Sequence, residues 1–276
     1  MAKTEEQRGL YIRVAFFMLV FLLMSLARAL PAVKELPSPF PLLLYQLNYL
    51  LPALLALRET KRLGIRQGQS PAGLLRGLLL LPVLLALLSL ISVLTVLLFP
   101  SVGQAGGIAG EPLDRAITLH CLLPATLEEM FFRMTLLPLL LRADRRTAVP
   151  LNALLFALIH APQQMPYAFC GGVMLCLAAE IGGPLAPWIL HFANNLASLL
   201  LMWGEAWWGL PFTLAALAVL LLCGALAVLL LIRQRRASAY EPLVYFFSRK
   251  DGMGDAVRAA LPLLPICLLS LLLALL

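Results

Sequence analysis

The sequence is short of charged residues and of cysteine, and both shortages narrow the classes of protein that it can represent. Only 13% of its 276 residues are Asp, Glu, Lys or Arg, whereas about a quarter are charged in a typical soluble domain. The five cysteines lie inside apolar stretches without a C-x-x-C spacing, so we expect neither a disulfide framework nor a cysteine-ligated zinc site. No stretch is long and polar enough to form a separate soluble domain.

Apolar residues make up 62% of the chain and gather in runs long enough to cross a bilayer. These runs lie at about 10–27, 39–57, 73–99, 114–141, 147–165, 166–182, 185–205, 210–232 and 259–276. Backbone polar groups in lipid must bond internally, and the leucine runs do not alternate as barrel strands do, so we expect helices. We predict an all-α, polytopic transmembrane helix bundle of about eight or nine segments, forming one integral membrane domain over residues 1–276.

Basic residues give the chain a formal charge of +7 and lie in alternate short loops between the apolar runs. Arg and Lys are frequent before the first run, at 58–66, at 142–146 and at 233–258, and they are scarce in the loops between. Because cytoplasmic loops carry such an excess, we predict a cytoplasmic N-terminus and a cytoplasmic loop at 233–258. The same placement favours contact with anionic lipid of the bilayer and argues against a nucleic-acid partner.

The fourth run contains ionisable residues in the sequence Leu-Glu-Glu-Met-Phe-Phe-Arg. Charges inside a membrane span are costly and usually mark function. Glu129 and Arg133 are four residues apart on one helical face, so we predict a structural ion pair between them. Glu128 points about 100° away around the helix and faces a different neighbour, which makes it a candidate for chemistry.

Two of the three histidines belong to polar clusters within apolar runs. The clusters are Asn152, Phe156 and His160 at i, i+4 and i+8, and His191, Asn194 and Asn195 at i, i+3 and i+4. A lone histidine in a span is more often a structural hydrogen-bonding residue than a catalyst. Two such clusters and a glutamate on three neighbouring helices instead favour a functional site.

The three motifs E-E-x-x-x-R, F-x-x-x-H and H-x-x-x-N occur in this order on separate membrane segments. This arrangement resembles the CPBP (Abi) family of CAAX proteases and bacteriocin-processing enzymes, over about residues 114–205. The resemblance implies an intramembrane endopeptidase that hydrolyses a membrane-associated protein or peptide, in this case in a bacterial cytoplasmic membrane. It implies four catalytic residues, which are Glu128, His160, His191 and Asn195. It implies three supporting residues, which are Glu129, Arg133 and Phe156.

In the resembled family, the glutamate and the first histidine act on one water, and the second histidine and the asparagine stabilise the oxyanion. The residue types suit peptide hydrolysis, because a carboxylate can move a proton from water to the leaving amine, and amide and imidazole N–H groups can donate to the oxyanion. Neither histidine motif contains a serine or cysteine, which argues against a covalent nucleophile. We favour catalysis without a cofactor because the resembled family is described as glutamate-dependent. The alternative is Zn²⁺ held by Glu128, His160 and His191 with an open fourth position, although no H-E-x-x-H motif is present.

A shared site requires the four candidate catalytic residues to face one polar cavity. Glu128 lies fourteen residues before the basic loop at 142–146 and His160 lies fourteen after it. Continuous helices would therefore place both side chains at one depth, roughly 20 Å of helix from the loop. His191 follows the turn at 182–184 by only seven residues, so we expect that turn to be recessed from the cytoplasmic surface.

Two other functions fit intramembrane ionisable residues. An ion-coupled membrane transporter would also carry Glu, Arg and His within its spans, although the chain has no clear inverted repeat of the kind common in carriers. A non-catalytic immunity or scaffold protein could keep the same fold without the chemistry. Both stand as alternatives to the endopeptidase.

Overall fold

The computed structural model describes residues 2–65, 67–98, 111–233 and 258–275, and every regular element in these ranges is helical. The protein is a polytopic membrane protein with an all-α fold, as the apolar runs predict. Most of the loop at 233–258, which we predict to be cytoplasmic, lies outside the described residues.

Thirteen α-helices lie wholly within the described ranges. They are α1 (Ala2–Ala29), α2 (Pro31–Lys34), α3 (Phe40–Arg62), α4 (Pro71–Leu78), α5 (Leu81–Leu98), α6 (Leu113–Ala116), α7 (Leu123–Phe131), α8 (Leu137–Ala143), α9 (Arg145–Ala157), α10 (Met165–Gly182), α11 (Leu185–Trp208), α12 (Leu210–Arg233) and α13 (Leu264–Leu275). Two π-helical turns, Ile117–Leu122 and Phe132–Leu136, interrupt the path from α6 to α8. Short 3₁₀ turns at Pro162–Gln164 and Leu261–Leu263 precede α10 and α13.

Six helical segments of the described chain are long and apolar enough to cross a membrane. They are Glu5–Ala29, Phe40–Arg62, Pro71–Leu98, Pro162–Gly182, Leu185–Trp208 and Leu210–Arg233, and Arg258–Ala274 is a shorter apolar helix. The predicted run at 114–141 is built from α6, α7 and α8 with π-helical turns between them. The predicted number of eight or nine membrane segments therefore stays a prediction.

The predicted run at 147–165 does not form one helix, because α9 ends at Ala157 after 13 residues. The chain then turns through 158–161 before the 3₁₀ turn that begins at Pro162. Proline has no N–H to donate and disfavours a helical conformation of the residue before it, so a continuous helix is broken here. His160 consequently lies in the turn after α9, and the continuous helical path that the sequence suggests for it is wrong.

The helices form two compact units, each built from segments that are separated along the chain. The first unit comprises Met1–Gln67, Leu127–Pro162 and Ser248–Leu276, and the second comprises Gly68–Thr126 and Gln163–Phe247. The prediction of a single integral membrane domain over residues 1–276 stays a prediction.

In the first unit, α1 packs against α3, α8 and α13. Its buried face includes Tyr11 and Met18, and Phe131 and Phe132 are fully buried in the same unit. The Tyr11 hydroxyl lies 2.7 Å from the Thr147 hydroxyl, so it ties α1 to α9. Phe21 of α1 stacks on Phe131 of α7, so aromatic packing holds the helix of Glu128 against α1.

In the second unit, α4, α10 and α11 approach one another through small residues. A Cβ added at Gly182 would lie 2.5 Å from the Ala186 Cβ and 3.2 Å from the Gly77 Cα. Only glycine fits at this point, and such small-residue contacts let membrane helices pack closely. A leucine-rich core with Leu80, Leu84 and Leu190 adjoins them.

Candidate active site

Glu129 and Arg133 form the buried ion pair that their spacing predicts. Arg133 Nη1 donates to Glu129 Oε1 over 3.0 Å, and the two side chains are 0% and 1% exposed. Arg133 is among the largest fully buried side chains in the described residues. Because an isolated buried charge is costly, removal of either partner would leave the other poorly compensated.

The π-helical turn at Phe132–Leu136 is held open by side-chain donors. The wider turn disturbs the regular i to i+4 bonding of the helix, and three successive carbonyl groups accept from side chains instead. Thr135 Oγ1 donates to Phe131 O over 2.5 Å, and Asn152 Nδ2 donates to Phe132 O over 2.9 Å. Gln67 Nε2 donates to Arg133 O over 2.8 Å. These bonds fix the backbone that carries Arg133.

Glu128 is buried on α7, with 7% of its surface exposed. The Tyr49 hydroxyl of α3 donates to Glu128 Oε1 over 3.4 Å. Sequence reasoning missed Tyr49. Its sequence signal is the pair of tyrosines at 45 and 49, which lie four residues apart with the polar residues Gln46 and Asn48 between them.

Phe156 joins the glutamate–arginine motif to the first histidine motif. The guanidinium carbon of Arg133 lies 4.1 Å from the centroid of the Phe156 ring, and the His160 ring packs edge-on at 4.8 Å between centroids. A cation over an aromatic face and an edge-to-face ring pair are both favourable contacts. The structure thus brings Glu129, Arg133, Phe156 and His160 into one continuous series of contacts.

The half-buried His160 side chain has a defined tautomer in its neutral state. Its Nδ1 lies 2.8 Å from the Phe156 carbonyl oxygen, near the C-terminal end of α9. A carbonyl oxygen can only accept, so Nδ1 carries the hydrogen and Nε2 is left as the acceptor. Nε2 can therefore orient a water by accepting from it, or bind a metal ion.

In the second unit, His191 and Asn194 lie one turn apart on α11, with 8% and 7% of their surfaces exposed. The Tyr167 hydroxyl of α10 lies 3.1 Å from Asn194 Oδ1 and 2.8 Å from Asn194 Nδ2. Asn194 Nδ2 also donates to Asn195 Oδ1 over 3.4 Å. With its oxygen held in this way, Asn195 keeps its own amide N–H groups as donors. Sequence reasoning missed Tyr167.

A small apolar cavity adjoins Asn194 inside the second unit. Its volume is about 140 Å³, and its lining includes Leu88, Tyr167, Asn194 and Ser198. The walls come from α5, α10, α11 and α12. The cavity offers apolar space beside the H-x-x-x-N motif.

The turn that precedes His191 is fixed by Gln69. Gln69 Nε2 donates to Gly182 O over 2.9 Å, and Gln69 Oε1 accepts from the Leu185 N–H over 3.4 Å. Gly183 has a φ of 72°, a conformation that glycine adopts readily and other residues rarely. These contacts set the start of α11 and hence the position of His191 along it. A recessed position of this turn relative to the membrane surface stays a prediction.

The structure places the seven predicted site residues in both units. Glu128, Glu129, Arg133, Phe156 and His160 belong to the first unit, and His191 and Asn195 belong to the second. The common cavity for Glu128, His160, His191 and Asn195 draws on both units and stays a prediction. Within either unit, no three His, Cys, Asp or Glu side chains of the described residues gather as metal ligands would. The alternative zinc set combines residues of both units.

Residues 115–197 match the model of the family described as type II CAAX prenyl endopeptidase Rce1-like. This segment is less than a third of the chain and contains all three motifs, so the match confirms the resemblance that the motifs predict. It supports a membrane endopeptidase in general. Comparisons with curated proteins and with solved structures each gave no match.

Proposed function

From the match of its three motifs to the Rce1-like endopeptidases, we propose that this protein is an intramembrane endopeptidase that uses a glutamate-activated water. The observation that carries the proposal is that one matched segment, 115–197, includes Glu128, His160, His191 and Asn195. The substrate is a protein or peptide already associated with the membrane. The site of action is a bacterial cytoplasmic membrane, with the N-terminus of the enzyme in the cytoplasm.

The nucleophile is a water activated by Glu128 and oriented by His160. Glu128 takes a proton from the water while His160 Nε2 accepts the second O–H, and the oxygen attacks the scissile carbonyl carbon. The tautomer of His160 supports this role, because its Nδ1–H is directed to the Phe156 carbonyl. When the tetrahedral intermediate collapses, the C–N bond breaks and Glu128 returns the proton to the leaving amine.

His191 and Asn195 stabilise the oxyanion that develops on the substrate carbonyl oxygen. Donors that are fixed before the reaction stabilise such charge without a cost of reorganisation. The bond from Asn194 Nδ2 to Asn195 Oδ1 supports this role, because it orients the Asn195 amide. The apolar cavity beside Asn194 offers room for an apolar group of the substrate next to these donors.

Zinc hydrolysis is the alternative chemistry for the same residues. A zinc ion held by Glu128, His160 and His191 would polarise the carbonyl group and lower the pKa of a bound water. His160 suits such a site as well, since metal-binding histidines commonly donate their other ring N–H to a carbonyl. Metal analysis of the purified protein, with activity measured before and after chelation, separates the two mechanisms.

The proposal is tested by comparing the termini of membrane proteins between cells that carry wild type and cells that carry Glu128→Gln. Loss of the base should lower cleavage by about 10²–10⁴-fold, so a set of new N-termini should be present only with wild type. The variant should keep its expression and melting temperature, because the amide oxygen can still accept from Tyr49. Identical sets of termini with equal amounts of both proteins would contradict the endopeptidase.

A further inference from the structure

Tyr49 is the polar side chain of α3 that reaches the predicted base. It is buried, with 6% of its surface exposed, and its hydroxyl donates to Glu128 Oε1. We infer that Tyr49 is a positioning residue that orients the Glu128 carboxylate for its reaction with water. This inference rests on the proposed function, because it assigns a role within the same reaction.

The Tyr49 ring is held on more than one side. Phe21 packs edge-on against it at 4.9 Å between centroids, and Tyr45 packs edge-on at 5.5 Å. Phe21 also stacks on Phe131, three residues after Glu128, at 5.5 Å. One phenylalanine therefore contacts both the tyrosine and the helix that carries the glutamate. This packing fixes the ring, and with it the position of the hydroxyl.

A second layer holds Tyr45. The guanidinium carbon of Arg28 lies 4.8 Å from the centroid of the Tyr45 ring, so the cation covers the face of that ring. A series of contacts thus runs from α1 through the two tyrosines of α3 to Glu128. Side chains that orient a catalytic group work best when packing locks their own rotamers, and Tyr49 meets that condition.

The chemistry needs a donor of this kind. A carboxylate that accepts water protons must present one oxygen at a fixed position, because small displacements of a reacting group reduce rate steeply. A phenol that donates to Oε1 fixes the position of the carboxylate. It supplies this bond without adding a second charge to the buried site. The competing explanation is that Tyr49 only satisfies its own buried hydroxyl on the nearest acceptor.

Two matched substitutions separate these explanations. Tyr49→Phe removes the hydroxyl and keeps the ring contacts with Phe21 and Tyr45. Tyr11→Phe is the control, because Tyr11 is also buried in the first unit and its hydroxyl bonds to Thr147, which has no proposed role in catalysis. Each substitution removes one buried tyrosine hydroxyl, so the two should lower the melting temperature by similar amounts.

The kinetic test uses a peptide that spans a cleavage site found by the comparison of termini. For Tyr49→Phe we expect kcat to fall about 10- to 100-fold, because this is the factor that a hydrogen bond to a charged group contributes. We expect KM to stay within about twofold of the wild-type value. Tyr11→Phe should keep both constants. If Glu128→Gln abolishes cleavage while Tyr49→Phe keeps the kcat of Tyr11→Phe, the inference is wrong and the proposed function stands.

A second measurement needs no substrate. Dicyclohexylcarbodiimide modifies carboxyl groups in apolar surroundings, and mass spectrometry locates the adduct on Glu128 or Glu129. Removal of the donor on Oε1 should increase the labelling rate of Glu128 several-fold in Tyr49→Phe and leave it unchanged in Tyr11→Phe. Equal labelling of Glu128 in both variants would overturn the inference, even if the protein proves to cleave nothing.

Discussion

Phe156 lies where two sequence motifs meet. Its ring contacts the Arg133 guanidinium on one side and the His160 imidazole on another, and its carbonyl accepts from His160 Nδ1. An aromatic residue four positions before the histidine therefore has a physical role in the F-x-x-x-H motif. Phe156 therefore links the buried ion pair to the His160 imidazole, which in our proposal orients the water.

The buried ion pair is predicted to be structural, and Arg133→Met tests that role. The substitution removes the guanidinium that pairs with the buried Glu129 carboxylate, so the free energy of unfolding should fall by about 3–5 kcal/mol. Arg142→Met is the control, because Arg142 pairs with Glu6 at 3.6 Å where both side chains are more than half exposed. Exposed pairs contribute about 0–1 kcal/mol. Thermal melting of both variants in one detergent checks the difference, and equal losses would contradict the structural role.

The oxyanion role of Asn195 is tested by Asn195→Ala. Loss of one oxyanion donor should reduce kcat by about 10²–10³-fold with a smaller effect on KM. Asn194→Ala provides the comparison, because Asn194 is buried and bonds to Tyr167. We expect Asn194→Ala to lower the melting temperature and Asn195→Ala to leave it nearly unchanged. An Asn195→Ala protein with the kcat of wild type would exclude the assigned role.

At the residue scale, some contacts of the site follow from the sequence and others do not. The Glu129–Arg133 pair is predictable because both residues share one helix, and the spacing fixes their separation. The contact of Tyr49 with Glu128 joins residues 79 positions apart. It depends on how α3 packs against α7, and periodicity carries no information about that packing.

At the scale of helices, the sequence predicts apolar runs well and their hydrogen bonding poorly. Hydropathy depends only on composition, so it predicts one segment at 114–141. In the structure, two π-helical turns occur within Leu113–Ala143. A π-helical turn changes which carbonyl each N–H reaches without changing composition. Pro162 is a sequence signal for the end of α9 at Ala157. Hydropathy alone hides this signal, because Pro162 lies within the apolar run at 147–165.

The π-helical turn after Glu128 should depend on Asn152. Asn152→Leu leaves the Phe132 carbonyl without its side-chain donor, so the free energy of unfolding should fall by about 1–3 kcal/mol, and turnover should fall because the backbone at Arg133 can shift. Asn48→Leu is the matched control, since Asn48 is equally buried in the same unit and bonds to Ser25. Melting and kcat of the two variants are compared. Equal turnover at equal loss of stability would show that the turn does not matter to the site.

For the whole molecule, composition decides the fold class and charge decides the predicted orientation. Six described helical segments are long and apolar enough to span a membrane, and all six overlap predicted runs. The common cavity for the four candidate catalytic residues could not be derived in this way. It depends on how distant helices meet, and helical periodicity gives only the face of each helix.

The predicted orientation is tested by labelling single cysteines in a cysteine-free background. The two substitutions are Ser248→Cys and Glu35→Cys. Ser248 belongs to the basic loop at 233–258, and Glu35 lies between α2 and α3. A membrane-impermeant maleimide added to intact cells should label Glu35→Cys and should reach Ser248→Cys only after the membrane is opened. Labelling of Ser248→Cys in intact cells would reverse the orientation.

The interleaving of the two units along the chain bears on the order in which the protein is made. All described helices of the second unit have been synthesised once α12 is complete at Arg233. The first unit still lacks its last segment at that moment, since α13 and the buried Leu263 pack against α1. Helices near the N-terminus must therefore wait, inside the membrane, for a partner synthesised more than two hundred residues later. The unit that holds Glu128 and His160 is thus completed after the other, so the proposed water-activating residues gain their full support only once α13 has been synthesised.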